Sequence, residues 1–249
     1  MNFTTERNIR AKNYFEKTEN YLQKDFDVRL RCRIVKELAG GCREKKILDI
    51  GAGDGSLSMQ YQLGYNKITL VDISENMLNL AKKKLLPYAA SNVRFVQSSI
   101  EEFNTNEKYD LIIGIGILAH VASVEDTIKK ISCFLNDNGR CIIQISDSEQ
   151  QFTKLLGKYN QILDTLFIRH GYKRNAMSLS GISRICRDNG LNIEKILRYS
   201  LLFPGMISII PNEMLYKYHK LVKKNKILSN FGSECIIKLA KKRPEDYVK

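Results

Sequence analysis

Three observations predict an α/β fold built on a doubly wound, mostly parallel sheet. The apolar run Ile47–Ile50 ends in a glycine-rich turn, Gly51-Ala52-Gly53-Asp54-Gly55. A second apolar run, Ile68–Val71, ends in Asp72. Strand-like runs then alternate with helix-like stretches as far as residue 145, which calls for crossover connections and a parallel sheet.

The elements follow in order. Residues 7–39 read as helical, with Tyr14, Phe15, Tyr21, Leu22, Phe26, Val28, Leu30, Ile34, Val35 and Leu38 at helical spacing and Gly40-Gly41 ending the run. Lys46–Ile50 is the first strand, and a helix begins near Ser56. Lys67–Val71 is the second strand. Ser74 caps a helix over Glu75–Leu85, with Pro87 beyond its end. Val93–Val96 and Tyr109–Ile113 are strands three and four, and Val124–Leu135 is helical. Asn136-Asp137-Asn138-Gly139 turns into Arg140–Ile145, an apolar run of the kind buried on both faces.

Beyond Ser146 the pattern loosens. Ser148–Arg169 carries Phe152, Leu155, Leu156, Tyr159, Ile162, Leu163, Leu166 and Phe167 at helical spacing, and Ser180–Asn189 is a second helix capped by Gly190. Asn192–Ser200 and Glu234–Ala240 read as strands. The residues between them, 201–230, exceed the usual loop length and are expected to form an insertion covering the substrate. Within it Asn212–Lys226 is an amphipathic helix. Met214, Leu215, Tyr218, Leu221 and Val222 share one side, and Lys217, Lys220, Lys223 and Lys224 lie on or near the other. That pattern suits a lid packed on the core, or contact with a membrane surface or a lipid-like substrate. The expected organisation is a helical cap over 1–45 and one α/β domain over 46–249.

Composition narrows the function. A chain of 249 residues can bury a full core. No apolar run reaches the ~20 residues that span a bilayer, and Met1–Arg7 lacks the apolar core of a signal peptide. The six cysteines (Cys32, Cys42, Cys133, Cys141, Cys186 and Cys235) form no C-x-x-C and no cluster with histidine. They imply neither a disulfide framework nor a metal site, and they fit a reducing cytoplasm. Charge is uneven: residues 1–46 hold 12 Lys/Arg against 7 Asp/Glu, residues 173–249 hold 16 against 6, and the middle holds 12 against 14. Basic flanks favour an acidic small molecule, an acyl carrier, RNA or an anionic membrane; alternatively the lysines only solvate the surface.

The glycine turn speaks to the cofactor. Gly51, Gly53 and Gly55 give G-x-G-x-G, and Ser56 stands where a dinucleotide fingerprint would place its third glycine. Asp49 sets a carboxylate two residues ahead, awkward beside a pyrophosphate but suited to an ammonium and a sulfonium. Asp72, about 20 residues beyond the first glycine, is placed to accept hydrogen bonds from ribose hydroxyls. This pattern resembles the class I S-adenosylmethionine-dependent methyltransferases, whose first motif would be Asp49–Gly53. The resemblance implies a Rossmann-like, seven-stranded sheet closed by an antiparallel pair, with S-adenosylmethionine as cofactor.

It also implies positions around the ligand. The backbones of Gly51, Ala52 and Gly53 would approach the cofactor's amino-acid portion, while Ile73 and Met77 would flank the adenine. Ser99 stands where that family commonly has an acid, leaving a hydroxyl for the adenine amino group, and Ile100 would pack on the ring. Gly114–Val121 resembles the family's segment after the fourth strand: Ile115 would lie against the cofactor by its backbone, and His120 would face the active-site cavity. His120 either orients or deprotonates the acceptor, an imidazole having a reference pKa of roughly 6.5, or merely caps and packs. Tyr14 either covers the cofactor near the transferred methyl or belongs to the helix core. Nucleobase routes lose weight, because Gly114-Ile115-Gly116-Ile117, directly after the fourth strand, holds no proline and no Pro-Cys occurs. An N- or O-methyltransferase of a small biosynthetic metabolite is the expectation. An RNA or protein methyltransferase and a non-catalytic cofactor-binding subunit are the alternatives, and the oligomeric state is left open.

Overall fold

A computed structural model describes residues 3–16, 25–41, 45–64, 66–89, 91–167, 175, 177–203 and 206–242. Among the described residues, two helices, α1 (Phe3–Phe15) and α2 (Asp25–Ala39), precede the sheet. Of the helical stretch expected over 7–39, helix is described over 7–15 and 25–39, and residues 17–24, with Tyr21 and Leu22, lie outside the described residues. The strands are β1 (Lys46–Ile50), β2 (Lys67–Asp72), β3 (Val93–Gln97), β4 (Tyr109–Gly114), β5 (Leu135–Ser146), β6 (Leu191–Tyr199) and β7 (Glu234–Lys241). They form one seven-stranded sheet in the order β3-β2-β1-β4-β5-β7-β6. The first five run parallel, and β7 is antiparallel to both β5 and β6.

Strand periodicity builds the two sides of the core. Successive residues point to opposite faces, so Leu48 and Ile50 pack with Ile112, Ile128 and Ile131 on one face. Ile47 packs with Phe26, Leu30, Ile34 and Leu78 on the other. Further helices are α3 (Glu75–Ala89), α4 (Val124–Phe134), α5 (Gln151–Phe167) and α6 (Leu179–Asp188). Ser123 and Ser178 cap α4 and α6 by accepting from Asp126 N and Gly181 N. Gly190, just past α6, takes the left-handed conformation at φ 73°.

Several local expectations need correction. No α-helix starts near Ser56; Ser58–Gly64 is a 3₁₀ segment instead. Ser56 bonds back to Asp54 through both N and Oγ, and Ser58 Oγ donates to Asp49, so local side-chain bonds compete with a helical ladder. Pro87 does not lie beyond α3 but inside its last turn. It sits on an exposed face beside exposed Lys83, where water can satisfy the carbonyl that a proline leaves without its N–H. Residues 136–139 belong to the irregular start of β5, with a register shift opposite Tyr109–Leu111. A Cβ on Gly139 would meet Asn136 O and Tyr109 O at 2.9 Å, so only glycine fits this close approach.

The stretch 201–230 forms α7 (Met206–Ile209), α8 (Asn212–Lys224) and α9 (Lys226–Ser229). α8 packs on α2: Phe26 and Tyr216 meet at 4.8 Å between ring centroids, Arg33 lies over the Tyr216 ring, and Lys223 pairs with Glu37 at 2.8 Å. Its buried stripe runs through Leu215 and Val222. Met214 and Leu221, expected on that side, are 59% and 67% exposed. Each lies one residue, or about 100°, round the helix from the stripe. Among the described residues no helix is long and apolar enough to cross a membrane.

Candidate active site

The carboxyl ends of β1 to β4 open into one cavity of about 500 Å³. Gly51, Ala52, Gly53, Asp72, Ile73, Met77, Ser99, Ile100, Ile115, His120 and Tyr14 all line it. These are the residues singled out from the sequence, with one exception, Asp49. None of the described lining residues falls in 201–230; the N-terminal helices cover the cavity instead, through Asn8, Ala11, Tyr14 and Phe15 of α1 and Asp27, Val28 and Arg31 of α2.

The glycine turn is left-handed at Gly51 (φ 69°) and Gly53 (φ 55°), a conformation that side chains disfavour. The N–H groups of Gly51 and Ala52 both donate to Val71 O, fastening the turn to the end of β2. Asp72 ties the same two loops together: its Oδ2 accepts from Gly53 N at 2.8 Å and its Oδ1 from Ser74 N at 2.9 Å. Burial raises the Asp72 pKa above the usual carboxylate value, and these backbone donors oppose the rise. Gly55 does what the missing third glycine would do, because a Cβ there would meet Leu85 and Ala81 of α3 at 3.0 and 3.1 Å.

Asp49 sits one layer behind the cavity wall, fully buried, with Oδ2 accepting from Ser58 Oγ at 2.6 Å. Its Oδ1 has no hydrogen-bond partner among the described residues. Burial pushes its pKa up to about 7, and neighbouring Asp72 and Asp54 push the same way. A buried carboxylate short of a donor, beneath a glycine turn, fits a cationic ligand and misfits a pyrophosphate. Its folded pKa lies above the ordinary 3.8, so the folded protein holds this proton more tightly than the unfolded chain. Stability is therefore lost as pH rises from about 4 through about 7. Asp49→Asn is expected to raise the melting temperature of the ligand-free protein at pH 8 and to leave it nearly unchanged at pH 4. Equal shifts at both values, read by calorimetry, would remove the ionised carboxylate as the cause.

Beyond β3, Ser99 Oγ accepts from Glu102 N at 3.2 Å, so part of its capacity serves the turn, while Ile100 is buried in the cavity wall. Beyond β4, a 3₁₀ turn over Ile117–Ala119 leads to His120. Asn175 clamps this loop: Nδ2 donates to Leu118 O and Val121 O, both at 2.9 Å, and its backbone N donates to Ala119 O. Arg7 of α1 donates to His120 O and to Asn175 Oδ1. Phe15 meets the His120 ring edge-on at 4.9 Å and Tyr14 meets Phe15 at 5.0 Å. Tyr14 is 37% exposed, at the cavity rim and not in the helix core.

A second, polar wall was not anticipated. Glu234, opening β7, accepts from Gln144 Nε2 and Ser146 Oγ of β5, both at 2.7 Å. Arg31 of α2 donates through Nε to Tyr199 Oη at 3.2 Å, which leaves Tyr199 pinned at the end of β6. Burial pushes the Tyr199 hydroxyl well above its ordinary pKa, the nearby Arg31 charge opposing. Ser200, next in the chain, holds the left-handed conformation at φ 64° while its carbonyl accepts from both N and Oγ of Ser233. Non-glycine residues so held cluster at functional sites, and Ser200 lines this cavity. One sequence signal was available: Gln144 interrupts the otherwise apolar run Cys141–Ile145.

Comparison with known proteins agrees with this geometry. A family described as a methyltransferase domain matches residues 43–186. The chain is 32% identical over 135 residues to the ubiquinone/menaquinone biosynthesis C-methyltransferase of Azotobacter vinelandii, covering 52% of this chain and 53% of that protein. It is 31% identical over 148 residues to the malonyl-[acyl-carrier protein] O-methyltransferase of Priestia megaterium, covering 58% and 53%. The chain thus spans about half the length of the curated relatives it matches. The crystal structure of magnesium protoporphyrin IX methyltransferase from Synechocystis PCC 6803 with bound SAH shares the fold. Its TM-score is 0.65 at 17% identity, over 94% of this chain and 99% of that one. Since the family match covers more than half of the chain and includes the strands that build the glycine turn and position Asp72, this protein belongs to the class I S-adenosylmethionine-dependent methyltransferases.

Proposed function

We propose that the protein transfers a methyl group from S-adenosylmethionine to an N or O atom of a small biosynthetic metabolite. The observation that carries this reading is the single cavity shared by the cofactor motif and the polar wall of Gln144, Ser146, Tyr199 and Glu234. Its volume of about 500 Å³ falls within the ~300–1,000 Å³ of small-molecule sites. The Azotobacter relative's name places that protein in ubiquinone and menaquinone biosynthesis, which supports a metabolite as acceptor.

When bound, the cofactor supplies a methyl on a sulfonium, with a neutral thioether as leaving group. The chain's own task is to hold and align both partners and exclude water. Gly51, Gly53 and Asp72 grip the cofactor side, and Tyr14 and Phe15 cover it. His120, fixed by the Arg7–Asn175 clamp, orients the acceptor or takes its proton. His120→Asn is expected to lower turnover by about 10²-fold or more with unchanged S-adenosylhomocysteine affinity. Wild-type turnover at saturating acceptor would end that role.

The decisive test incubates the protein with methyl-labelled S-adenosylmethionine and a cell extract split into small-molecule, lipid, RNA and protein fractions. Label in small molecules is the expected result. Label confined to RNA or protein would overturn the reading and transfer recognition to the basic flanks.

A further inference from the structure

Exposed apolar side chains are concentrated in two segments that touch each other. Of the thirteen large hydrophobic residues exposed among the described residues, nine lie in α5 or in the stretch 203–231. Phe203 meets Phe152 of α5 edge-on at 5.1 Å between ring centroids, and Gln150 Nε2 donates to Asn230 O at 3.4 Å, so the two segments join in one surface. Along α5, Leu155 and Tyr159 continue the stripe that begins at buried Phe152, yet both are exposed. On α8 and α9, Leu221 and Ile227 are 67% and 72% exposed. Thr153, two residues before Leu155 and so nearly opposite it on the helix, lines the cavity. The surface therefore borders the active site without belonging to it, and an apolar cluster of this kind marks an interaction site.

The charge around these residues is of one sign. Residues 150–163 and 201–233 together carry seven lysines, one acid (Glu213) and no arginine. Lys223 pairs with Glu37. Lys154, Lys158, Lys217, Lys220, Lys224 and Lys226 are exposed and form no ion pair among the described residues. On α8, Met214 and Leu221 stand two turns apart, and Lys217 and Lys224 run beside them at the same spacing. The result is a row of apolar tips rimmed by ammonium groups.

That combination selects the partner. A second copy of the chain would set lysines against lysines, which opposes self-association. A nucleic acid would meet the lysines and leave Leu221 and Ile227 in water. Protein interfaces are depleted in lysine and enriched in arginine, whereas every cation here is a lysine. An anionic bilayer answers both features: apolar side chains enter the boundary between headgroups and acyl chains, and the flexible lysines reach the lipid charges. We propose that the surface formed by the first half of α5 with α8 and α9 docks on an anionic lipid bilayer, with the active-site cavity alongside.

The test needs no methyl acceptor, so its outcome is separate from that of the labelling experiment. The protein is sedimented at low salt with vesicles of phosphatidylcholine alone and of phosphatidylcholine mixed in equal parts with phosphatidylglycerol. Circular dichroism and S-adenosylhomocysteine binding report that each variant is folded. Binding to the anionic vesicles that is about tenfold tighter or more, and that weakens as salt is raised, is the expected result. Each lysine near an anionic surface contributes about fivefold, so Lys217→Glu combined with Lys220→Glu should weaken binding by about 20-fold or more. Leu221→Ser combined with Ile227→Ser should weaken it by about tenfold or more, at unchanged S-adenosylhomocysteine affinity. Equal recovery with both vesicles, recovery with neither, or wild-type binding in either folded pair of variants overturns the proposal. So does a dimer in light scattering that Leu221→Ser with Ile227→Ser returns to monomer, which gives the surface to a second copy of the chain. Should that serine pair fail to fold, Leu155→Ser and the lysine pair decide the same question.

Discussion

Replacing Asp72 by alanine is expected to reduce affinity for S-adenosylhomocysteine by about two orders of magnitude. Hydrogen bonds to a charged group contribute about 1.5–3 kcal/mol each, and about 1.4 kcal/mol is tenfold in affinity. Asp72 also holds Gly53 N and Ser74 N, so the substitution releases the glycine turn from the end of β2 as well as removing the proposed ribose acceptor. Asp72→Asn keeps an oxygen acceptor and should recover part of the loss. Titration calorimetry distinguishes the cases; an alanine variant within threefold of wild type would place the ribose elsewhere.

The second large effect is structural and lies at Gly232. A Cβ there would sit 2.4 Å from Tyr199 O and 2.8 Å from Tyr199 C and N. Those are backbone atoms of a paired strand and cannot swing aside as a side-chain tip can. Gly232→Ala is therefore expected to destabilise the protein by about 3 kcal/mol, the upper part of the overpacking range. At roughly 2–4 °C per kcal/mol for a chain of this size, the melting temperature should fall by about 6–12 °C. Gly157 in α5 is the control: nothing lies within 4 Å of its Cβ position, so Gly157→Ala should be neutral or mildly stabilising. Equal melting temperatures for the two variants would refute the contact.

The cofactor half of the site was readable from the sequence because its chemistry is local. Gly51 to Asp72 is one strand–crossover–strand unit, and residue types at fixed spacing there constrain the backbone directly. Ile115 and His120 came instead from the resemblance of Gly114–Val121 to the family's segment after the fourth strand, and both line the same cavity. The polar wall was not readable, because Arg31, Gln144, Tyr199 and Glu234 are scattered over some 200 positions and each alone is an ordinary surface-type residue. What unites them is the insertion of β7 between β5 and β6, which local periodicity does not encode. Asp49 was singled out from its spacing to the turn, which fixes its place along the strand, whereas its full burial just behind the cavity lining depends on the packing around it. The face of α8 slipped for a related reason, since Met214 and Leu221 are as apolar as the buried residues one step away.

The lining of the cavity divides at the bounds of the matched stretch, with Gln144 and Ser146 of the polar wall inside it. The stretch shared with the wider family, 43–186, contains the glycine turn, Asp72 and His120, whereas Arg31, Tyr199, Ser200 and Glu234 lie outside it. Substitutions confined to the flanks leave the glycine turn and Asp72 themselves unchanged. A descendant could acquire a new acceptor through changes at a few flanking positions while its donor-binding residues stay as they are. For the engineer this marks where to place a library: the ends of α2, β6 and β7, with the interior of the parallel strands left alone.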